Sequence, residues 1–285
     1  MYVPAAGAET TISMSQIASV LSTVEPWDLV ADGYADELSM LMEGFSRSAA
    51  DIAVLRRDAT VLDVGAGPGT LSLAVAERVA EVHAVDFSRR MLDRLAAAAH
   101  ERKITNIVTH VGDGQALPFD TSRFDAAFSL FGLMFFPDRA KGFAELYRVL
   151  RTDGVAIVSS WAPVGDSSLM QLVLGALRAA DPEFPPPRQG AVDLEIPEML
   201  AHEMRAAKFD DVSVEPHEQT MALGDIQEFW ERLTRSSAPL AMLRRRVGET
   251  EWRSRSVVAC QYIERESAGR STVSTKAWFG TGYKR

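Results

Sequence analysis

The 285-residue chain contains a single cysteine, Cys260. An internal disulfide is therefore excluded, and so is a metal cage built from several thiolates. Its place in the apolar run Val257-Val258-Ala259 suits a small buried thiol rather than a nucleophile. Long hydrophobic runs are missing as well: no stretch approaches the ~20 apolar residues that cross a bilayer. The first residues lack the basic start and apolar segment of a secretory signal. The expectation is a cytoplasmic protein with no membrane span. Basic charge is also in short supply, with 30 Lys and Arg against 39 Asp and Glu. A net charge of −9 argues against nucleic acid as a partner, because gripping phosphates takes a basic stripe. The one short run, Arg244-Arg245-Arg246, reads as a solvated helix face.

What is present suits an enzyme-sized α/β fold. Hydrophobic residues make up 47% of the chain, enough for a sizeable core in one large domain with insertions. Residues 1 to about 24 are rich in Ala, Ser and Thr and read as a flexible arm. From Trp27 to Leu55, apolar residues at helical spacing (Leu29, Tyr34, Leu38, Leu41, Phe45) predict one or two amphipathic helices. Four strands alternate with helices thereafter: Thr60 to Val64, Glu81 to Asp86, Asn106 to Val111 and Phe124 to Leu130. A helix from Arg139 to Leu150 and a Thr152-Asp153-Gly154 turn lead to a fifth strand, Val155 to Ser160. That alternation, with short connections, predicts a parallel sheet covered on both faces. Beyond Trp161 come a helix (Leu169 to Ala180), a stiff Pro185-Pro186-Pro187 linker and a helix from Pro197. Strands near Val212 to Gln219 and Ser271 to Tyr283 bracket a helical stretch, the candidate cap.

The informative segment is Asp63-Val64-Gly65-Ala66-Gly67-Pro68-Gly69-Thr70, where a strand turns into a helix. Glycines there let backbone approach a ligand, and helix N-terminal amides face it. Such turns serve several nucleotide-like ligands. Two details favour one of them. A dinucleotide fingerprint needs glycine at 70, where Thr70 stands. Asp63, just before the first glycine, would repel a pyrophosphate but attract the cationic amino-acid part of S-adenosylmethionine. Asp86 ends the second strand, where an acid accepts from ribose hydroxyls. Nicotinamide enzymes place one there too, so this residue indicates adenosine without choosing. Asp113, in Gly112-Asp113-Gly114, stands where it can accept from an adenine amino group.

These residues together resemble the class I S-adenosylmethionine-dependent methyltransferases, in particular the group containing the ubiquinone and menaquinone C-methyltransferases. The likeness covers about residues 27 to 162. It runs through Val61 to Gly69, Val85-Asp86-Phe87-Ser88, Gly112 to Phe119, Phe124-Asp125-Ala126 and Glu145 to Arg151. It implies a Rossmann-like sheet of seven strands, mostly parallel with the last antiparallel, helices on both faces and a helical cap. It implies S-adenosylmethionine as cofactor, with Asp63, Gly65 and Gly67 facing the methionine part. Asp86 and Phe87 would face the ribose, Asp113 and Gly114 the adenine, and Ser129 and Phe131 the sulfonium, with Ala66, Met91 and Gln115 as further cofactor contacts. Tyr34 would fold over the cofactor. Gly114 stands where the family usually has alanine.

Methyl transfer from a sulfonium needs chiefly an aligned acceptor and a dry site, so neither a triad nor a metal is required, and no metal is expected. Of five histidines, His83, His100 and His110 read as structural; His217, near the end of the sixth strand, is the candidate base. Met134, Phe135, Trp161 and Trp230 are the candidate acceptor contacts, pointing to a small hydrophobic or aromatic molecule. The expected organisation is an arm (1–24), a cofactor-binding core (25–162) and a remainder (163–285) that completes the sheet and caps the acceptor site. The expected assembly is a monomer or homodimer. Other readings are a cofactor-binding protein without transferase activity, a methyltransferase of macromolecules, and a nicotinamide-dependent oxidoreductase.

Overall fold

The computed structural model describes residues 20–184 and 193–285. Most of the arm (1–19) and Pro185-Pro186-Pro187 lie outside the described residues. Helix α1 (Glu25–Gly33) runs without a break through a π-helical turn (Tyr34–Leu38) into α2 (Ser39–Ile52). There follow β1 (Thr60–Val64), α3 (Thr70–Ala76), β2 (Glu81–Asp86), α4 (Arg89–Glu101), β3 (Ile107–Val111), β4 (Phe124–Leu130), α5 (Arg139–Val149) and β5 (Leu150–Trp161). The later part holds α6 (Ser168–Ala180), α7 (Pro197–Ala206), β6 (Asp210–Ala222), α8 (Ile226–Ser236), α9 (Ala238–Val247), α10 (Glu249–Glu266) and β7 (Thr272–Tyr283).

All seven strands form one sheet in the order β3-β2-β1-β4-β5-β7-β6. Strands β1 to β5 are mutually parallel, and β7 is antiparallel to both β5 and β6. Because helices cover both faces, the central strands are apolar without alternation: Val61, Leu62 and Val64 are all buried. The strand order reverses between β1 and β4, and ligands of open α/β sheets bind at such a reversal, outside the carboxyl ends of the strands.

Three sequence expectations shift. In α1 the buried positions are Pro26, Val30 and Ala31, whereas Leu29 is exposed. The Thr152-Asp153-Gly154 turn lies inside β5 as an irregularity, with Asp153 at φ 64° and the β4 register slipping there. Residues 151–154 can stay in the strand because Lys284 pairs with them: Asp153 N–H donates to its carbonyl (2.6 Å) and its own N–H donates to Gly154 (3.0 Å). Cys260 is half-buried, since Val257 and Val258 beside it face outward on α10. Among the described residues no helix is long and apolar enough to cross a membrane.

Candidate functional site

The loops leaving β1, β2, β3 and β4 meet at the strand reversal and surround a cavity of about 360 Å³. Three glycines of the first loop have positive φ: Gly65 (71°), Gly67 (55°) and Gly69 (84°). The loop is pinned from below, with Gly65 N and Ala66 N both donating to Val85 O (2.8 and 3.1 Å). Gly67 lines the cavity, and a Cβ built on it would meet nothing within 4 Å, so its backbone is open to a ligand.

Asp86 closes β2 with its side chain nearly buried. Its Oδ2 accepts from Gly67 N and its Oδ1 from Ser88 N, both at 2.8 Å. Burial pushes its carboxyl up to about 6; the two backbone hydrogen bonds oppose this, and the charge of Asp28 adds to it. At neutral pH it is a carboxylate with one hydrogen bond per oxygen and lone pairs to spare. Asp63 is different. It lies under the glycine loop, 2% exposed, and its Oδ2 accepts from Ser72 Oγ (2.7 Å). Burial pushes this carboxyl up to about 7, with the Ser72 hydrogen bond opposing and Asp86 adding. Asp63 therefore stands beneath the cavity rather than on its wall.

The β3 loop presents Asp113, Gly114 and Gln115 to the cavity. Gln115 fixes the acid: its N–H and Nε2 donate to Asp113 Oδ1 (2.8 and 3.0 Å), while its Oε1 accepts from Asp138 N (2.9 Å). The departure from alanine at 114 has a local cause. A Cβ there would fall 2.4 Å from Phe136 Cζ and 2.7 Å from Val64 Cγ1.

The fourth loop is strained. Phe131 takes φ 58°, unusual for a residue with a side chain, held by donation from its N–H to Ser159 Oγ (3.0 Å) and by stacking on Trp161 (centroids 4.0 Å apart). Ser129 does not reach the cavity wall; its buried hydroxyl accepts from Leu133 N (3.0 Å) and shapes the turn. Ala66 likewise stays behind the wall, in the core facing Leu73 and Leu92.

The cover comes from the N-terminal segment. The π-helical turn, a feature frequent at functional sites, places Tyr34 on the cavity. Burial, then the negative charge of Asp86, pushes its phenol up to about 12, so it stays a neutral donor. Leu21, Ser22 and Trp27 complete the cover. Ser22 Oγ donates to Phe135 O (2.8 Å), Trp27 Nε1 donates to Leu21 O (2.9 Å), and the Trp27 and Phe135 rings lie 5.2 Å apart.

Of the residues expected from sequence, Tyr34, Gly65, Gly67, Asp86, Phe87, Met91, Asp113, Gly114, Gln115, Phe131 and Phe135 converge on this cavity, and Asp63, Ala66 and Ser129 support it from behind. Four others are placed elsewhere. Met134 is buried behind the loop, its Sδ 3.9 Å from Ser160 Oγ, and Trp161 backs Phe131 rather than facing open space. Trp230 is buried in the helical cap, stacked on Trp252 and donating to Ser256 Oγ (3.0 Å). His217 sits on β6, the outer strand of the sheet, stacked on Phe279 (4.3 Å), with burial holding its imidazole below the usual range. The strand runs on past it to Ala222 rather than ending near it, and although it stands level with the end of β5, two strand spacings separate it from that strand. The described lining residues all fall between Leu21 and Pro137. No described cap residue lines this cavity; Arg235–Glu37 (2.8 Å) and Arg245–Glu25 (2.6 Å) tie the cap to the helical segment that does. Among the lining residues that the sequence did not single out are Leu21, Ser22 and Trp27. Trp27 opened the helical pattern, but no local signal said which way it faced.

Comparison with known proteins agrees with this geometry. Residues 61–154 match the family described as methyltransferase domain. Demethylmenaquinone methyltransferase of Deinococcus radiodurans is 35% identical over 122 residues, 42% of this chain and 50% of that protein. An uncharacterized protein of Mycobacterium tuberculosis is 39% identical over 105 residues, 37% of this chain and 38% of that one. The matched segments thus span about half or less of these curated relatives. The crystal structure of the YcgJ protein of Bacillus subtilis superposes with a TM-score of 0.57 at 20% identity, covering 84% of this chain and 97% of that one. The [4+2]-cyclase SpnF superposes at 0.56 and 18% identity, covering 96% and 97%. Strand order and the glycine loop at the strand reversal thus agree with the family match, which assigns residues 61–154 to a methyltransferase domain.

Proposed function

We propose that this protein transfers the methyl group of S-adenosylmethionine to a small hydrophobic or aromatic molecule. The observation that carries the reading is the mixed lining of the covered cavity. It brings the carboxylates of Asp86 and Asp113 and the backbone of Gly65 and Gly67 together with the apolar side chains of Leu21, Trp27, Phe131 and Phe135. Its volume, about 360 Å³, falls at the small end of small-molecule sites, roughly 300–1,000 Å³. A macromolecular acceptor would call for an open groove instead.

The residues present fit the cofactor. Asp86 has acceptor capacity left for ribose hydroxyls, and Asp113, held by Gln115, for an adenine amino group. The open backbone at Gly67 leaves room for the amino-acid arm, with the Asp63 carboxyl beneath it. Bound S-adenosylmethionine supplies a methyl group already activated by its sulfonium charge. The protein's part is to align the acceptor and keep water out. Alignment of this kind contributes on the order of 7–11 kcal/mol. Trp27, Phe135 and Tyr34 form the cover that excludes water, and Phe131, locked by Ser159 and Trp161, forms a rigid wall beside the strand end. His217 has no part in the step.

The acting unit in this reading is the core of residues 25–162 together with Leu21 and Ser22, a monomer or homodimer working in the cytoplasm on a small acceptor. Methyl-labelled S-adenosylmethionine incubated with the protein and cell extract tests it. Label is expected in the extractable small-molecule fraction. Label in protein or RNA alone, or in no product although the cofactor binds, refutes it.

A further inference from the structure

The N-terminal cover and the ribose-end acid are joined by one run of hydrogen bonds. Asp28, half-buried on α1, accepts from Ser88 Oγ (2.5 Å). Ser88 N donates to Asp86 Oδ1 (2.8 Å), and Asp86 Oδ2 accepts from Gly67 N (2.8 Å). Lid helix, serine, ribose-end acid and glycine loop are thus linked in series. The Ser88 hydroxyl also caps α4 by accepting from Met91 N (3.0 Å), so capping does not require Asp28. The same two helices are tied again at the surface by Arg90–Asp32 (2.6 Å), and Arg94–Asp36 ties α4 to the π-helical turn that follows α1.

A second acid beside Asp86 is costly if its only use is to dock a helix, because an uncharged acceptor would receive the Ser88 proton equally well. We propose that Asp28 is a positioning residue for the cofactor: acting through Ser88, it sets the orientation and charge state of Asp86. The inference rests on the reading that Asp86 faces the cofactor.

The groups that face Asp86 are few. They are Asp28 from α1, Tyr34 from the π-helical turn, Asp63 from β1 and the amides of Gly67 and Ser88; Asp113 lines the same cavity. Arg90 and Arg94 pair outward with Asp32 and Asp36. Burial and the Asp28 charge both hold Asp86 protonated up to about pH 6. Cofactor affinity that depends on the Asp86 carboxylate therefore falls as pH drops through that region. Removing the charge of Asp28 lowers the midpoint.

The test is calorimetric titration of the full chain with S-adenosylhomocysteine from pH 5 to 8, on the wild type, Asp28→Asn and Arg90→Gln. Asparagine keeps an acceptor for Ser88 but no charge; Arg90→Gln removes a surface tie between the same helices and leaves the chain of bonds intact. The expected result is a midpoint displaced to lower pH in Asp28→Asn alone. A role confined to docking the helix predicts equal behaviour of the two variants, and an unmoved midpoint in folded Asp28→Asn overturns the proposal. Asp28→Glu, which restores a charge on a longer arm, should return the midpoint toward that of the wild type if asparagine compromises folding; failure to do so counts against the proposal. Absence of binding by the wild type would instead remove the cofactor reading, and this inference with it.

Discussion

Replacing Asp63 by asparagine should make the folded protein more stable at pH 8 while weakening its hold on the cofactor. Asparagine is close to isosteric and its carbonyl can still accept from Ser72 Oγ, so the packing of Val61, Leu62 and Val64 is left in place. What changes is the charge. The Asp63 carboxyl ionises near its ordinary 3.8 in the unfolded chain but at about 7 in the fold, chiefly because it is buried. The folded-state value is the higher one. Between about pH 4 and pH 7 the native protein therefore holds a proton that the unfolded chain has released, and stability falls as pH rises through that window. Above it, the ionised group costs about 4 kcal/mol relative to a residue that cannot ionise. Linkage with these two values predicts a gap between variant and wild type that widens by about 2–3 kcal/mol from pH 5 to pH 8 and is then flat. Urea denaturation followed by tryptophan fluorescence at pH 5, 6.5 and 8 measures it. A gap independent of pH, or one that narrows as pH rises, would refute the reasoning about burial. Weaker binding of S-adenosylmethionine by the more stable variant would show why so costly a carboxyl is kept beneath a cation site.

Further outcomes follow from the same geometry. Asp86→Ala should weaken S-adenosylhomocysteine binding by ~1–3 kcal/mol in calorimetry, through loss of charge-assisted hydrogen bonds and of the Gly67 anchor. Gly114→Ala should destabilise the fold by ~1–3 kcal/mol because its Cβ meets Phe136 and Val64, and a second change, Phe136→Leu, should recover much of that in thermal unfolding. His217→Ala should leave methyl transfer within about twofold of the wild type at every pH, since the imidazole stacks on Phe279 away from the cavity; a lost pH limb in the rate profile would reinstate it as a base. Trp230→Phe should lower the unfolding temperature and leave the acceptor KM unchanged, as expected for a ring packed on Trp252 inside the cap.

The parts legible in the sequence were those encoded by local spacing. A β-branched run, alternate glycines and a helix start mark the cofactor loop whatever surrounds them. Asp86 ends one strand of a parallel sheet and Asp113 lies in the loop just past another, and carboxyl ends of such strands share one edge, so their convergence follows from strand periodicity and turn residues alone. The acceptor end was read less well. Met134, Phe135, Trp161 and Trp230 look alike as sequence, four large apolar residues near loop or helix positions. Only Phe135 reached the cavity, because Phe131 at φ 58° takes the wall and turns Trp161 and Met134 behind it.

Tertiary packing also decided what covers the site. Leu21 and Ser22, in a stretch that reads as an arm, are held over the cavity by Phe135, 113 residues away from Ser22 in sequence. The cap, expected to build the acceptor wall, lies beside the lid helix and braces it through Arg235 and Arg245. Hydrophobic pattern, turn chemistry and the order of acids along the chain determined the sheet and the cofactor edge, since these depend on neighbours a few residues apart. Which apolar side chain faces open space depends on contacts between segments a hundred or more residues apart, and no local pattern encodes those.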